Sequence, residues 1–225
     1  CRPFGIRLLS IYGSTESSPH SLVRLNDTRE HTEETDGCAV DGVEIRVVDD
    51  NRHEVPHGQE GEEASRGPQV FVGYWGEPEM TARALDADGW YYSGDYCRTD
   101  SEGRYIRITG RKKDIIVRGG ENISSREVED IVLEYPGVRE AAVVAMPDER
   151  LGERSCACVS MRPGAPAMHL TDLVAFFDGR RVAKYKFPEY LVVLDALPRT
   201  SSGKLQKFAL ARMVRERVAA GQPSD

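Results

Sequence analysis

Long apolar runs are missing from this sequence. Its most hydrophobic stretches, Ala141–Met146 and Tyr190–Leu194, fall far short of the roughly 18 residues that a bilayer-spanning helix needs, so no membrane span is expected and only peripheral membrane contact stays open. Blocks of lysine and arginine are missing too. With 30 basic against 37 acidic side chains and a net charge of -7, nothing would track a nucleic-acid backbone, and nucleic acid is not expected as a partner. Cysteine is sparse and odd in number. The only close pair among Cys1, Cys38, Cys97, Cys156 and Cys158 has one residue between, a spacing that suits neither a zinc knuckle nor a disulfide framework. A reducing cytoplasm is the simplest compartment. Repeats, low-complexity segments, an initiator methionine and a signal-peptide pattern are also absent. Cys1–Gly5 leads straight into a strand-like Ile6–Ile11, so the chain reads as a fragment that begins inside a domain.

What is present is globular in character. The 225 residues are 40% hydrophobic and 30% charged, enough for a real core in one large domain or two modest ones. Up to Gly110 the signals are those of strands and turns: Val43–Val48 alternates, and Gly58, Gly61, Gly67 and Gly73 punctuate the stretch beyond it. A short helix opens at Pro78 and ends near Leu85, since proline suits a first helical turn and Glu77 and Glu79 suit its positive end. Arg104–Thr109 reads as a strand, and the charged stretch from Gly110 to Asp114 as a joint, which divides the chain into residues 1–110 and 111–225. Beyond the joint strands and helices alternate. Ser124 and Glu127 have the capping-box spacing ahead of a helix from Ser125 to about Tyr135. Ala141–Met146 and Cys156–Met161 come next as buried strands, then a helix over Leu170–Phe177, a strand over Tyr190–Leu194 and a closing helix over Gln206–Val218. That makes a small two-layer domain with a frayed tail from Ala219.

Four stretches could carry chemistry. Tyr12-Gly13-Ser14-Thr15-Glu16 would present a hydroxyl, a carboxylate and an aromatic face at a glycine turn after a strand, or is an ordinary polar turn. Trp90–Asp95 places a carboxylate beside glycine, fit for vicinal sugar hydroxyls or equally for an aromatic core strand ending in an Asx turn. Gly110–Asn122 joins Arg111, Lys112 and Lys113 to Gly119-Gly120, which read alone as a solvated face and a hairpin turn. Pro198–Lys204 is a flexible loop ending in a cation; it lacks the leading glycine of a phosphate-binding loop, and Leu205 follows its lysine.

In this order and at these separations the four stretches resemble the acyl-adenylate-forming (AMP-binding) superfamily of acyl-CoA ligases, luciferases and peptide-synthetase adenylation domains. The resemblance covers essentially the whole chain, and Gly110–Ile123 is among the family's most diagnostic stretches. Tyr12–His20, Glu62–Gly67 and Asp148–Glu153 look most like bacterial short- to medium-chain fatty acyl-CoA synthetases. The implied fold is mixed α/β and α+β: the C-terminal, mostly β portion of the large AMP-binding domain in residues 1–110, then a mobile α+β lid in 111–225. The implied reaction is ATP-dependent formation of acyl-CoA, AMP and pyrophosphate through an acyl-adenylate, with a fatty acid, ATP, Mg2+ and coenzyme A taking part. By the same resemblance Tyr12 stacks on adenine, Thr15 contacts phosphate, and Glu16 helps hold magnesium. Asp95 takes the ribose hydroxyls with help from Arg111, Lys113 is the hinge, and Lys204 reaches the carboxylate and α-phosphate. Gly119 and Gly120 belong to the face that approaches the pantetheine arm. The family's Ser/Thr/Gly-rich phosphate loop and most of its acyl pocket belong to an earlier region, so the isolated chain is expected to be inactive. An aryl-CoA ligase is the rival enzyme reading. A non-catalytic nucleotide- or CoA-binding module, using Arg180, Arg181, Lys184 and Lys186, is the rival from another class.

Overall fold

The computed structural model describes residues 6–219 and divides into two compact units, Cys1–Lys112 and Lys113–Asp225, joined by a single chain crossing. The N-terminal pentapeptide and residues 220–225 of the tail lie outside the described residues; Ala219 itself ends the last helix.

The first unit is built from short strands. β1 (Ile11–Ser14) and β2 (Ser18–Leu22) form an antiparallel hairpin; α1 (Arg29–Glu34), capped by the Thr28 hydroxyl, leads to β3 (Cys38–Ala39) on the far side of β2. A second antiparallel sheet runs in sequence order through β4 (Glu44–Val48), β5 (Gly61–Arg66), β6 (Tyr91–Thr99) and β7 (Ile106–Arg111), with α2 (Pro78–Ala84) between β5 and β6. Val47, Cys97, Ile106 and Ile108 bury one side of that sheet, while Val48, Ala64, Trp90 and Tyr92 form a separate buried group. Three expectations change here. Residues 6–10 are not a strand, and strand pairing starts only at Ile11. β7 does not stop before Gly110, because Gly110 and Arg111 pair with Tyr96 and Asp95. α1 is an addition to the expected elements; its signal is Thr28 ahead of an acidic first turn.

In the second unit β8 (Ile115–Arg118) and β9 (Glu121–Ser124) form a hairpin, and α3 (Ser125–Leu133) starts on the Ser124 cap, whose hydroxyl accepts the Glu127 N–H. A longer hairpin, β10 (Val138–Asp148) and β11 (Gly152–Met161), succeeds it; then come α4 (Leu170–Gly179), β12 (Tyr190–Val193), which lies parallel to β11, and α5 (Lys207–Ala219). The layers number three, not two. Val143, Ala157, Val159 and Leu191 face α3 and α4, packing with Val128, Val132, Leu173 and Phe177. The residues alternating with them, Ala142, Val144, Cys156, Cys158 and Val192, face the other way and pack with Leu210 and Val214 of α5. The near-continuous apolar runs of these strands are what a sheet covered on both faces requires. Both units together make a mixed α/β chain dominated by sheet, and among the described residues no helix is long and apolar enough to cross a membrane.

Candidate functional site

The sequence expects a glycine turn around Gly13, but Gly13 lies in a strand. A Cβ there would sit 2.2 Å from the Ser18 carbonyl oxygen, so glycine is required for backbone approach across the hairpin, and the turn itself falls at residues 15–17. Thr15 is exposed at its tip. The Tyr74 hydroxyl donates to Glu16 Oε1 at 2.9 Å and so fixes one carboxylate oxygen; nothing in the sequence flagged Tyr74. Beneath the turn Ser14 pairs with Ser17 at 3.1 Å and Ser17 with His20 Nδ1 at 2.9 Å. His20 Nε2 meets Glu63 Oε1 at 3.2 Å, and both side chains are fully buried.

Tyr12 and Asp95 come together from 83 positions apart, the tyrosine hydroxyl donating to Asp95 Oδ2 at 3.0 Å. Burial, aided by the nearby Glu63 and Asp95 carboxylates, raises the Tyr12 phenol far above its usual range, so it stays a donor. One edge of its ring packs against His20. Arg111 Nε stands 3.2 Å from the other oxygen, Asp95 Oδ1, as the β6–β7 register dictates. Asp95 does not end its strand. It sits in a bulge of β6, where Ser93, Gly94 and Asp95 have no direct partners on β5 while β5 passes from Glu62 to Ala64; on its other side Asp95 pairs with Arg111 of β7. Tyr91 and Tyr92 are buried as a core strand would have them, yet the carboxylate is aimed at two donors. The aromatic-core reading of this stretch therefore holds for Trp90, Tyr91 and Tyr92, but the strand runs on through Asp95 to Thr99 instead of ending in a turn.

A 3-10 turn, Lys112–Asp114, carries the chain from one unit to the other. Lys113 is exposed, and among the described residues its ammonium has no partner. In the second unit Gly119 and Gly120 form the tip of the β8–β9 hairpin with φ of 59° and 91°, the left-handed values a tight hairpin demands. Open space surrounds the Cα of Gly120, whereas a Cβ on Gly119 would meet Leu151 at 3.3 Å. The Lys204 loop is less free than its composition implies. Arg199 and Leu205 bridge, the Thr200 N–H donates to the Lys204 carbonyl at 2.8 Å, and Arg199 Nη1 donates to the Gly203 carbonyl at 2.7 Å. The Lys204 side chain projects from this closed turn, exposed, and its ammonium has no partner among the described residues. Three residues on, Lys207 is fastened to Ser125 Oγ at 2.9 Å, Glu129 Oε1 at 2.7 Å and Asp114 Oδ2 at 3.6 Å. Of the basic group, Arg180 pairs with Glu134 and Lys186 with Glu127, so two of its four cations are already engaged.

Magnesium is coordinated by one or two carboxylates together with phosphate oxygens and water. Among the described residues no three acidic, histidine or cysteine side chains cluster as a cage. A half-buried Glu16 with one oxygen held by Tyr74 fits that sparse requirement.

Comparison with known proteins identifies the family these two units resemble. Residues 2–75 match the AMP-binding enzyme family, and residues 127–204 match the AMP-binding enzyme C-terminal domain. The chain is 63% identical to the medium-chain fatty-acid–CoA ligase of Escherichia coli over 97% of its own length and 38% of that protein's. It is 38% identical to the 2,3-dihydroxybenzoate-AMP ligase of Bacillus subtilis, covering 97% of this chain and 40% of that one. Among solved structures, ATP-bound MatB from Rhodopseudomonas palustris matches with a TM-score of 0.87 at 34% identity, over 94% of this chain and 41% of that one. The chain thus spans about two fifths of the length of these relatives.

Proposed function

Since the chain belongs to the AMP-binding enzymes, a family of adenylate-forming enzymes, we propose that the complete protein containing it is an ATP-dependent fatty acyl-CoA ligase acting on short- or medium-chain acids. The observation that carries this reading is the 63% identity to a medium-chain fatty-acid–CoA ligase, against 38% to a ligase whose acid is aromatic. In the first half-reaction a fatty carboxylate oxygen attacks the α-phosphorus of ATP and pyrophosphate leaves; in the second the coenzyme A sulfur attacks the acyl carbon and AMP leaves.

The residues have distinct tasks. Tyr12 offers a ring face to adenine, and Asp95, held between the Tyr12 hydroxyl and Arg111, offers its carboxylate to the ribose hydroxyls. The exposed Thr15 hydroxyl donates to phosphate. Glu16 would hold magnesium, which when bound neutralises phosphate charge. Lys204 supplies a preorganised cation to the charge that develops as pyrophosphate departs. The Gly119-Gly120 tip, with no side chain on its outer face, lets the pantetheine arm pass. Residues 113–225 act as the lid that brings Lys204 to the first step and this tip to the second, turning at Lys113.

The test is pyrophosphate release and thioester formation by the complete protein with fatty and aromatic acids. Lys204→Ala is expected to slow pyrophosphate release by about 10²–10³-fold while a supplied acyl-adenylate is still converted to thioester. Aromatic acids outrunning fatty ones would make the protein an aryl-CoA ligase, and no pyrophosphate with any acid would overturn the reading.

A further inference from the structure

Glu62 has no part in the two half-reactions, yet its carboxylate, 13% exposed, is used at both oxygens. Oε1 accepts the Gly94 N–H at 3.0 Å. Gly94 is the middle residue of the β6 bulge and has a φ of 72°, so its amide has no strand partner and needs one elsewhere. The bulge is closed from its other side by Ser93, whose hydroxyl donates to the Glu63 carbonyl at 3.0 Å and accepts the Asp95 N–H at 3.1 Å. The backbone on which Asp95 stands is thus set by two contacts, one of them Glu62. Oε2 of the same carboxylate accepts from the Lys112 ammonium at 3.1 Å, and Lys112 also meets Asp50 Oδ1 at 2.9 Å. Lys112 is the last residue of the first unit.

We propose that Glu62 is a positioning residue that fixes the ribose-binding carboxylate of Asp95 through one oxygen and the last residue before the joint through the other. It acts through Gly94 and Lys112, and touches neither nucleotide nor acid. The proposal rests on the ligase reading for what Asp95 and the joint do. A carboxylate serving both ends ties the nucleotide site to the foot of the joint through one side chain, so losing it misplaces Asp95 and leaves Lys112 held by Asp50 alone. Substitutions separate the two arms. Glu62→Ala removes both; Glu62→Gln keeps an acceptor for Gly94 but presents an amide N–H2 to the Lys112 ammonium; Lys112→Met removes only the second arm.

The experiment uses the complete protein, with ATP affinity from calorimetry and, separately, the ratio of the two half-reaction rates. Glu62→Ala is expected to weaken ATP by about tenfold or more, in line with the sensitivity of positioned contacts to displacements near 1 Å. Glu62→Gln and Lys112→Met are expected to bind ATP within about twofold of wild type, with equal changes in the half-reaction ratio. ATP affinity unchanged in Glu62→Ala overturns the proposal, as does a loss that Glu62→Gln shares in full. If Glu62→Ala does not fold, the other two variants decide: an unaltered ratio in both overturns it. Calorimetry with ATP needs no acid, so a protein that binds ATP in this Glu62-dependent way but activates no acid would sink the ligase reading and leave the Asp95 arm standing.

Discussion

His20 and Glu63 form the most thoroughly buried polar pair in the first unit, and they carry a pH signature. His20 Nε2 faces the Glu63 carboxylate and Nδ1 lies 3.1 Å from the Ser18 carbonyl, so both ring nitrogens face acceptors and suit the imidazolium. Burial alone would lower the imidazole pKa, but the hydrogen bond and charge of Glu63, together with the Ser17 and Ser18 backbone, outweigh it and raise the value. The folded state therefore binds the proton more tightly than the unfolded chain. Its stabilisation is complete below the unfolded value of about 6.5 and is lost as pH rises through the higher folded one. Denaturant unfolding between pH 5.5 and 8.5 should show stability falling across this window, and Glu63→Gln should flatten that slope. This pair is illegible in the sequence, because His20 and Glu63 lie 43 positions apart in different sheets. Tyr12 and Asp95 are legible, but only through the family's motifs; spacing alone leaves Asp95 divided between a site and a turn. Tyr74 carries no local signal, since what distinguishes it is a contact with Glu16 across 58 positions.

Among the elements, α5 shows why strand patterns are read more easily than layers. The apolar runs of β10 and β11 announce buried strands, and the hairpin is longer than those runs because polar residues at its ends still pair. Whether one or two faces are covered depends on where the last helix packs, which no periodicity within the strands records. Leu210 and Val214, both fully buried, close the second face over Cys156 and Cys158. Leu210→Ala should cost about 2–5 kcal/mol of stability, read by denaturant unfolding. Because α5 begins three residues after Lys204, the same variant should also slow pyrophosphate release more than conversion of a supplied adenylate. An unchanged unfolding midpoint would mean that α5 is not a structural layer.

For the whole molecule, the joint matters most. Residues on either side of Lys113 are tied into their own units, Lys112 by Asp50 and Glu62 and Asp114 by Lys207, which confines backbone freedom at the crossing to about one residue. Proline at that position fixes φ and restricts the residue before it. Lys113→Pro should therefore spare pyrophosphate release and depress thioester formation by about tenfold or more, in keeping with hinge residues that limit turnover; equal loss of both half-reactions would remove Lys113 from that role. The two anchors also differ in their exposure to solvent. Asp50 is 80% and Lys112 40% exposed, whereas Glu62 is 13%, Lys207 and Asp114 each 24% and Glu129 15% exposed. Ionic screening reaches the Lys112–Asp50 contact far more than the others, since the Debye length shrinks from about 10 Å at 0.1 M salt to about 3 Å at 1 M. Of the contacts that hold Lys112, the one to Asp50 is consequently the one that salt loosens, while Glu62 and the cluster around Lys207 keep their grip.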